Sequence, residues 1–335
     1  MTSFGRQLVV TGASGFLGSE IVRLAVSAGW QVRAFVRDPQ TKIDGVQMFV
    51  GEITDFEALS RACRGASAVV HAAGLAHVYG HSARDYARFK LVNEEGTDNL
   101  VKAATKSGVF QIVLASSVSV YGLSAGIDCD ERATCRPRGA YAVSKWRAEL
   151  KAIERMAKGG GSLAILRLAT IYGEGDRGNV ARLIRALERG RFVWPGSGLN
   201  RKSLIYKEDA GRACLRALEC PVCGTSVFNI AAPPVTMRET VSTICQVLGR
   251  PIPRLRIPGH LLKAVGVISR RMHDPWQLGQ LLQKFTHDDV YDGSKFNSTF
   301  DFSPSVLLSE GMRREVQFIR ANFDSESLES FHATK

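Results

Sequence analysis

No apolar run in this 335-residue chain reaches the roughly 18 residues that a membrane span needs, so no integral membrane segment is expected. Lys and Arg form no long block, although the formal charge is +12. That spread argues against nucleic acid as a partner and for a solvated basic surface that attracts doubly charged diphosphates. The opening MTSFGRQLVV enters an apolar stretch of strand length directly, without the basic, apolar and cleavable layout of a secretory leader, and a cytoplasmic location is expected. The seven cysteines are odd in number and irregular in spacing, unlike a disulfide framework. Cys220 and Cys223 form a single CxxC with no second CxxC or HxxxH nearby. A Pro-containing loop between a helix and a strand explains that spacing, and no metal is expected. Internal repeats and low-complexity tracts are lacking as well.

What is present is the balance of a globular protein, 45% hydrophobic and 23% charged, and one large domain or two unequal ones are expected. Apolar runs of strand length alternate with amphipathic stretches, the pattern of βαβ units around a parallel sheet. Strands are expected at Gln7–Thr11, Gln31–Val36, Val46–Val50, Ala68–Ala72, Gln111–Ser116 and Leu163–Leu168. Helices are expected at Gly15–Ala28, Asp55–Cys63, Ala83–Ser107 and Tyr141–Lys158. The economical fold is α/β: a Rossmann-type doubly wound parallel sheet with a smaller, intertwined α/β substrate-binding part. Residues 1–172 would form the dinucleotide-binding domain, with segments near 203–230 returning to it and a strand at Val227–Ile230. Residues 173–202 and 231–335 would form the substrate part, with helices at Asn179–Arg189, Lys207–Glu219 and Met237–Leu248 marking this less regular half. Ile257–Phe285 alternates apolar and basic residues; it suits a helical cover over the substrate cleft, or else a peripheral membrane contact.

Gly12, Ser14, Gly15, Phe16, Leu17 and Gly18 lie in TGASGFLG, which follows one expected strand and opens a helix. That context turns a weak glycine pattern into a dinucleotide site. Gly12 permits the tight turn, Gly15 lets the backbone approach a pyrophosphate, and Gly18 lets helix and sheet pack closely. The helix amino terminus supplies N–H groups and a positive dipole end. At the end of the second strand an acid would favour a free 2′-hydroxyl, but the chain has Val36-Arg37-Asp38. Arg37 therefore tips the expectation toward NADP over NAD, with Asp38 as the competing group. Glu52, Ile53, Ala72, Ala73 and Gly74 end the third and fourth strands and should line the adenine and the bridging ribose.

Tyr141 and Lys145 are four positions apart in a helical segment and so share one face. A tyrosine that exchanges a proton near neutral pH needs its pKa lowered by about three units, or roughly 4 kcal/mol. A nearby ammonium and the charge of an oxidised nicotinamide supply that kind of shift. Ser117, at the end of a strand, would share the substrate oxygen's hydrogen bonds.

With TGASGFLG, HAAG, Val92-Asn93-Glu94-Glu95-Gly96-Thr97, SSVSVYG, YAVSK and RLATIYG in order along the chain, the sequence resembles an extended short-chain dehydrogenase/reductase of the NAD-dependent epimerase/dehydratase type. The resemblance implies that Ser117, Tyr141 and Lys145 are the catalytic set, with Lys145 also holding the nicotinamide ribose. It places Arg37 where the related dihydroflavonol reductases meet a 2′-phosphate. Sugar-nucleotide 4,6-dehydratases carry Thr-Asp-Glu where this chain has Ser117-Val118-Ser119, so dehydration is not expected. Glu52 stands where an Asp is usual. Lys202, seven positions before Asp209, replaces an Arg that grips the substrate diphosphate, and the adjacent Arg201 is a candidate to take over. Asn179 resembles the family asparagine that meets the sugar phosphate. A homodimer is a family expectation.

These readings converge on an NAD(P)-dependent enzyme acting at C4 of a nucleotide-linked sugar, by reduction of a 4-keto sugar or by 4-epimerisation, with Arg37 favouring reduction. A 3β-hydroxysteroid or dihydroflavonol-type reductase is the alternative, on Phe35-Val36-Arg37-Asp38-Pro39 and the apolar 257–285 stretch. A non-catalytic NADP-binding redox sensor is the alternative of another class.

Overall fold

The computed structural model describes residues 6–76, 83–122, 128–257 and 287–332. In chain order the first half runs β1 (Gln7–Thr11), α1 (Phe16–Ser27), β2 (Gln31–Val36), β3 (Gln47–Val50), α2 (Phe56–Cys63) and β4 (Ala68–His71). It continues with α3 (Ala83–Phe89), α4 (Gly96–Lys106), β5 (Gln111–Ser117), α5 (Ala140–Gly159) and β6 (Ser162–Leu168). The second half runs β7 (Thr170–Tyr172), α6 (Asn179–Glu188), β8 (Trp194–Pro195), β9 (Arg201–Lys202), β10 (Leu204–Tyr206), α7 (Lys207–Glu219) and β11 (Thr225–Ile230). After them come β12 (Val235–Thr236), α8 (Met237–Leu248), β13 (Arg256–Ile257), α9 (Ser294–Phe300) and α10 (Leu308–His332).

Seven strands form one sheet in the order β11-β6-β5-β4-β1-β2-β3, and every adjacent pair is parallel. Strands buried on both faces read as continuous apolar runs. All seven residues of β6 (SLAILRL) are buried for that reason. Helices α1 and α7 cover one face, around Ile21, Val22, Ala213 and Leu218; α2, α4 and α5 cover the other, around Leu59, Leu100, Ala152 and Met156. Each fully buried Leu, Ile or Phe contributes about 1.5–3 kcal/mol of transfer free energy. A third core forms apart from the sheet, where α6, α8 and α10 pack Ile184, Val241, Ile244, Met312 and Val316 against Tyr172 and Tyr206.

Local chemistry sets the helix ends. Asp55 accepts from the Ala58 N–H to start α2. Thr236 and Glu239 form a reciprocal capping box on α8, which ends at Gly249 in the left-handed region with φ 66°. Gly139 and Gly160, at φ 82° and 72°, bracket α5. The expected strand at Val227–Ile230 begins two residues earlier and closes the sheet by pairing with β6. The single helix expected over Ala83–Ser107 is interrupted by a π-helical stretch at Lys90–Glu95, which holds Asn93 in a buried position. The expected strand at Ala68–Ala72 stops at His71, because the chain turns away after the Ala72 N–H bonds to the Thr11 carbonyl. Six short strands, paired as β7 with β10, β9 with β12 and β8 with β13, have two or three residues each and carry no periodic signal. Of the 257–285 stretch, Ile257 lies in β13 and the rest falls outside the described residues. Among the described residues no helix is long and apolar enough to cross a membrane.

Candidate active site

The order of the sheet reverses at β1, which has β2 on one side and β4 on the other. A crevice opens at such a switch point beyond the carboxyl ends of the strands. Thr11, Gly12 and Ala13 leave β1 there, and the backbone approach is close. At Gly12, φ is 66°, and a Cβ would lie 2.7 Å from the Ala73 backbone. A Cβ at Gly18 would lie 1.9 Å from the Gly12 carbonyl oxygen. Gly15 caps α1 with no side-chain hydrogen bond, and Ser14 and Gly15 are exposed. The result is a smooth backbone cradle facing an uncapped helix amino terminus, which fits a pyrophosphate. Phe16 and Leu17 are half-buried behind it.

Around that cradle stand the other expected contacts. Arg37 is exposed just past β2. The neighbouring Asp38 carboxylate accepts from the Gln40 N–H at 2.9 Å, so it closes its own turn. Glu52 is exposed, whereas Ile53 is buried and packs where a Cβ on Gly96 would lie 2.7 Å from its side chain. Ala72, Ala73 and Gly74 follow β4, and a Cβ at Gly74 would come within 3.3 Å of the Asn93 amide oxygen and 3.9 Å of Lys145 Nζ.

Ser117 ends β5, and its Oγ accepts from the Ser119 N–H at 3.2 Å. Tyr141 opens α5 and meets Phe89 edge-on at 6.1 Å. Burial raises the pKa of the Tyr141 phenol, and the Ser117 hydroxyl beside it works in the opposite direction. Lys145, one turn on, is buried and donates to the Ala115 carbonyl at 2.6 Å. Burial pulls that ammonium down to about 8, against the opposing charge of Glu149. The three residues expected to act together thus lie near the carboxyl end of β5. The phenol itself is not lowered in the way the sequence had implied, because the ammonium points to the β5 backbone.

Sequence reasoning assigned no role to Asn93, Ser144, Glu149 or Arg167. The Asn93 amide accepts from the Leu75 N–H at 2.6 Å, donates to the Leu75 carbonyl at 3.1 Å and donates to Ser144 Oγ at 2.9 Å. Ser144 in turn donates to the Tyr141 carbonyl at 2.8 Å. The motif around Asn93 was visible, but the partners of its amide lie on two other segments, the loop after β4 and α5.

On the expected substrate side, Asn179 is exposed at the first turn of α6, after a turn in which the Asp176 carboxylate accepts from the Gly178 N–H at 2.6 Å and the Ala181 N–H at 3.1 Å. A Cβ at Gly175 would lie 3.8 Å from the Phe16 ring, which brings this loop against the dinucleotide turn. Arg201 and Lys202 lie on β9, and both face carboxylates. The Arg201 N–H donates to Asp288 at 2.6 Å with its guanidinium 4.0 Å away, and Lys202 Nζ is 3.7 Å from Asp289. Cys220 and Cys223 are exposed at the far end of α7, and among the described residues no group of three or more His, Cys, Asp or Glu is placed to hold a metal.

The chain is 29% identical over 319 residues to N-acetyl-alpha-D-glucosaminyl-diphospho-ditrans,octacis-undecaprenol 4-epimerase of Escherichia coli O157:H7, covering 93% of this chain and 94% of that one. It is also 29% identical to 2-alkyl-3-oxoalkanoate reductase of Stenotrophomonas maltophilia (strain K279a), covering 92% and 98%. Among solved structures, MoeE5 in complex with UDP-glucuronic acid and NAD superposes with a TM-score of 0.76 at 27% identity, over 94% of this chain and 99% of that one. The model of the NAD dependent epimerase/dehydratase family matches residues 8–231. On that match, with the parallel sheet and the strand order behind it, the chain belongs to the NAD dependent epimerase/dehydratase family and is an enzyme of the extended short-chain dehydrogenase/reductase type.

Proposed function

We propose that the enzyme acts at C4 of a sugar carried on a diphosphate, interconverting the 4-hydroxyl and 4-keto states and so epimerising C4. The observation that carries this reading is the convergence of Ser117, Tyr141 and Lys145 at the switch-point crevice, beside a cradle that only glycine backbone can form. Gly12, Gly15, Gly18 and the first turn of α1 would hold the cofactor's diphosphate, and Lys145 would hold its nicotinamide ribose. When bound, the nicotinamide supplies hydride exchange. Tyr141 takes the C4 hydroxyl proton and returns it, while the Ser117 hydroxyl hydrogen bonds the same oxygen. Arg201, Lys202 and Asn179 would meet the substrate diphosphate, which must compete with Asp288 and Asp289 for the two cations. Residues 1–172 and the returning strand would then serve the cofactor and the remainder the substrate.

Arg37 favours a second reading, NADPH-dependent reduction of a 4-keto sugar, because it is exposed just past β2 while the Asp38 carboxylate is engaged by the Gln40 N–H of its own turn. The 4-epimerase among the relatives, and the NAD in the superposed structure, weigh toward epimerisation.

The test is to incubate the purified enzyme with UDP-N-acetylglucosamine, and separately with the same sugar on a short polyprenyl diphosphate, and to follow C4 by proton NMR. Epimer formation without net cofactor consumption supports the first reading. NADPH consumption only with a 4-keto sugar supports the second. If neither occurs, while a 3-oxoalkanoate or a 3-ketosteroid is reduced, the sugar reading is wrong.

A further inference from the structure

Thr11 and His71 are register partners at the carboxyl ends of β1 and β4, the two strands that flank the switch point. Both are buried, as are Asn93 and Thr97 beside them. Their hydrogen bonds form a chain whose direction follows from donor and acceptor capacity alone. The Thr97 hydroxyl donates its single proton to the Asn93 carbonyl at 2.6 Å. Toward His71 Nε2, at 3.0 Å, it can then only accept, so Nε2 carries the imidazole proton. At the other nitrogen, Thr11 Oγ1 lies 2.7 Å from His71 Nδ1 and also accepts from the Ala73 N–H at 3.3 Å. Its own proton therefore goes to Nδ1. A doubly protonated ring would leave the Thr11 hydroxyl proton with no acceptor among the described residues. It would also place a second cation near Lys145, and burial together with that ammonium holds the imidazole down at about 3.

The chain links two halves of the active site. At one end Thr11 is followed by Gly12, whose carbonyl accepts from the Gly15 N–H at 2.8 Å within the dinucleotide cradle. At the other end Asn93 grips Leu75 through both its N–H and its carbonyl and holds Ser144, which supports the Tyr141 turn. Residues 72–75 are thus pinned twice, at Ala73 by Thr11 and at Leu75 by Asn93. His71 bridges the two pins. We propose that His71, held as the neutral imidazole with its proton on Nε2, is a positioning residue that fixes the 72–75 loop between the dinucleotide turn and Asn93 and thereby sets the affinity for the nicotinamide cofactor.

This inference does not depend on which sugar or carrier the enzyme uses. It is tested on the full chain labelled with ¹⁵N in its imidazole rings, with the His71 signals assigned by their loss in His71→Gln. A long-range proton–nitrogen correlation spectrum at neutral pH is expected to show an unprotonated δ nitrogen and a protonated ε nitrogen for His71. The opposite tautomer, or a charged ring, overturns the proposal. NADH and NADPH are then titrated separately into the parent, Thr97→Val and Thr97→Ser, followed by nicotinamide fluorescence. Thr97→Val is expected to weaken the tighter of the two by about tenfold, the scale of one lost buried hydrogen bond, while Thr97→Ser stays within about threefold of the parent. If Thr97→Val does not fold, Thr97→Ala is held to the same criterion. Parental affinity in a folded variant without the hydroxyl overturns the coupling, whatever the sugar assay shows.

Discussion

Glu149, fully buried on α5, accepts from the Arg167 guanidinium of β6 at 2.7 Å, one helical turn beyond Lys145. Ser116 donates to the same carboxylate, and the guanidinium lies 4.8 Å from the Tyr121 ring centroid and 5.5 Å from that of Trp146. A buried pair of this kind locks α5 against β5 and β6. Removing one partner strands the other in a low dielectric. Arg167→Met is therefore expected to destabilise by about 3–5 kcal/mol, and adding Glu149→Gln to recover part of that loss. Urea unfolding of the two variants decides it; additive losses would mean that the pair is not coupled.

Tyr141→Phe removes the hydroxyl proposed to carry the proton and leaves the ring's contact with Phe89. Turnover is expected to fall by about 10²–10⁴-fold, with cofactor affinity nearly unchanged. Steady-state kinetics on whichever substrate the C4 assay identifies, beside a cofactor titration, check this. An equal loss of both would point to misfolding of α5.

The pH dependence of stability carries the mark of Lys145. Its folded pKa is pulled down to about 8, while in the unfolded chain it returns to about 10.4. Between those values the unfolded chain binds more protons, so this residue makes stability rise with pH from about 8 upward and contributes no slope below it. Subtracting the curve of Lys145→Met cancels the tyrosines and cysteines that titrate in the same window. A difference that stays flat above pH 8 would show that the ammonium is not desolvated.

Glu315 on α10 behaves in the opposite sense. Its carboxyl is fully buried, and burial together with Asp176 pushes it up to about 9 against a weaker lowering by the Gly173 backbone. At neutral pH folding must protonate it, so its contribution is present below the unfolded value near 4.3 and is lost as pH rises toward 9. Glu315→Gln removes that requirement. A stabilisation of about 3–4 kcal/mol at pH 7, shrinking toward zero at pH 4.5, is expected by chemical denaturation. No gain at pH 7 would mean that the acid is satisfied in solution.

The sequence made the sheet legible because strands buried on both faces must be apolar throughout, and β1 and β2 were placed to the residue. Ser117, Tyr141 and Lys145 were legible for a different reason: each sits at a fixed offset from a strand end or a helix start. Other features depend on register between distant segments. The carboxylates opposite Arg201 and Lys202 come from Asp288 and Asp289, far along the chain, and no local pattern announces them. The same holds for Asn93, whose buried place depends on a π-helical turn that periodicity reads as ordinary helix.

The position of β11 at the end of the sheet has a consequence for synthesis. Strand β6 has its outer edge paired by β11, and β11 is made long after β6, with α6 and α7 between them. Until then a nascent chain emerging from the ribosome presents β6 as a bare apolar edge, a ready template for intermolecular pairing. A fragment ending at Tyr172 would retain that open edge permanently, so residues 1–172 are not a unit that can be expected to survive on its own.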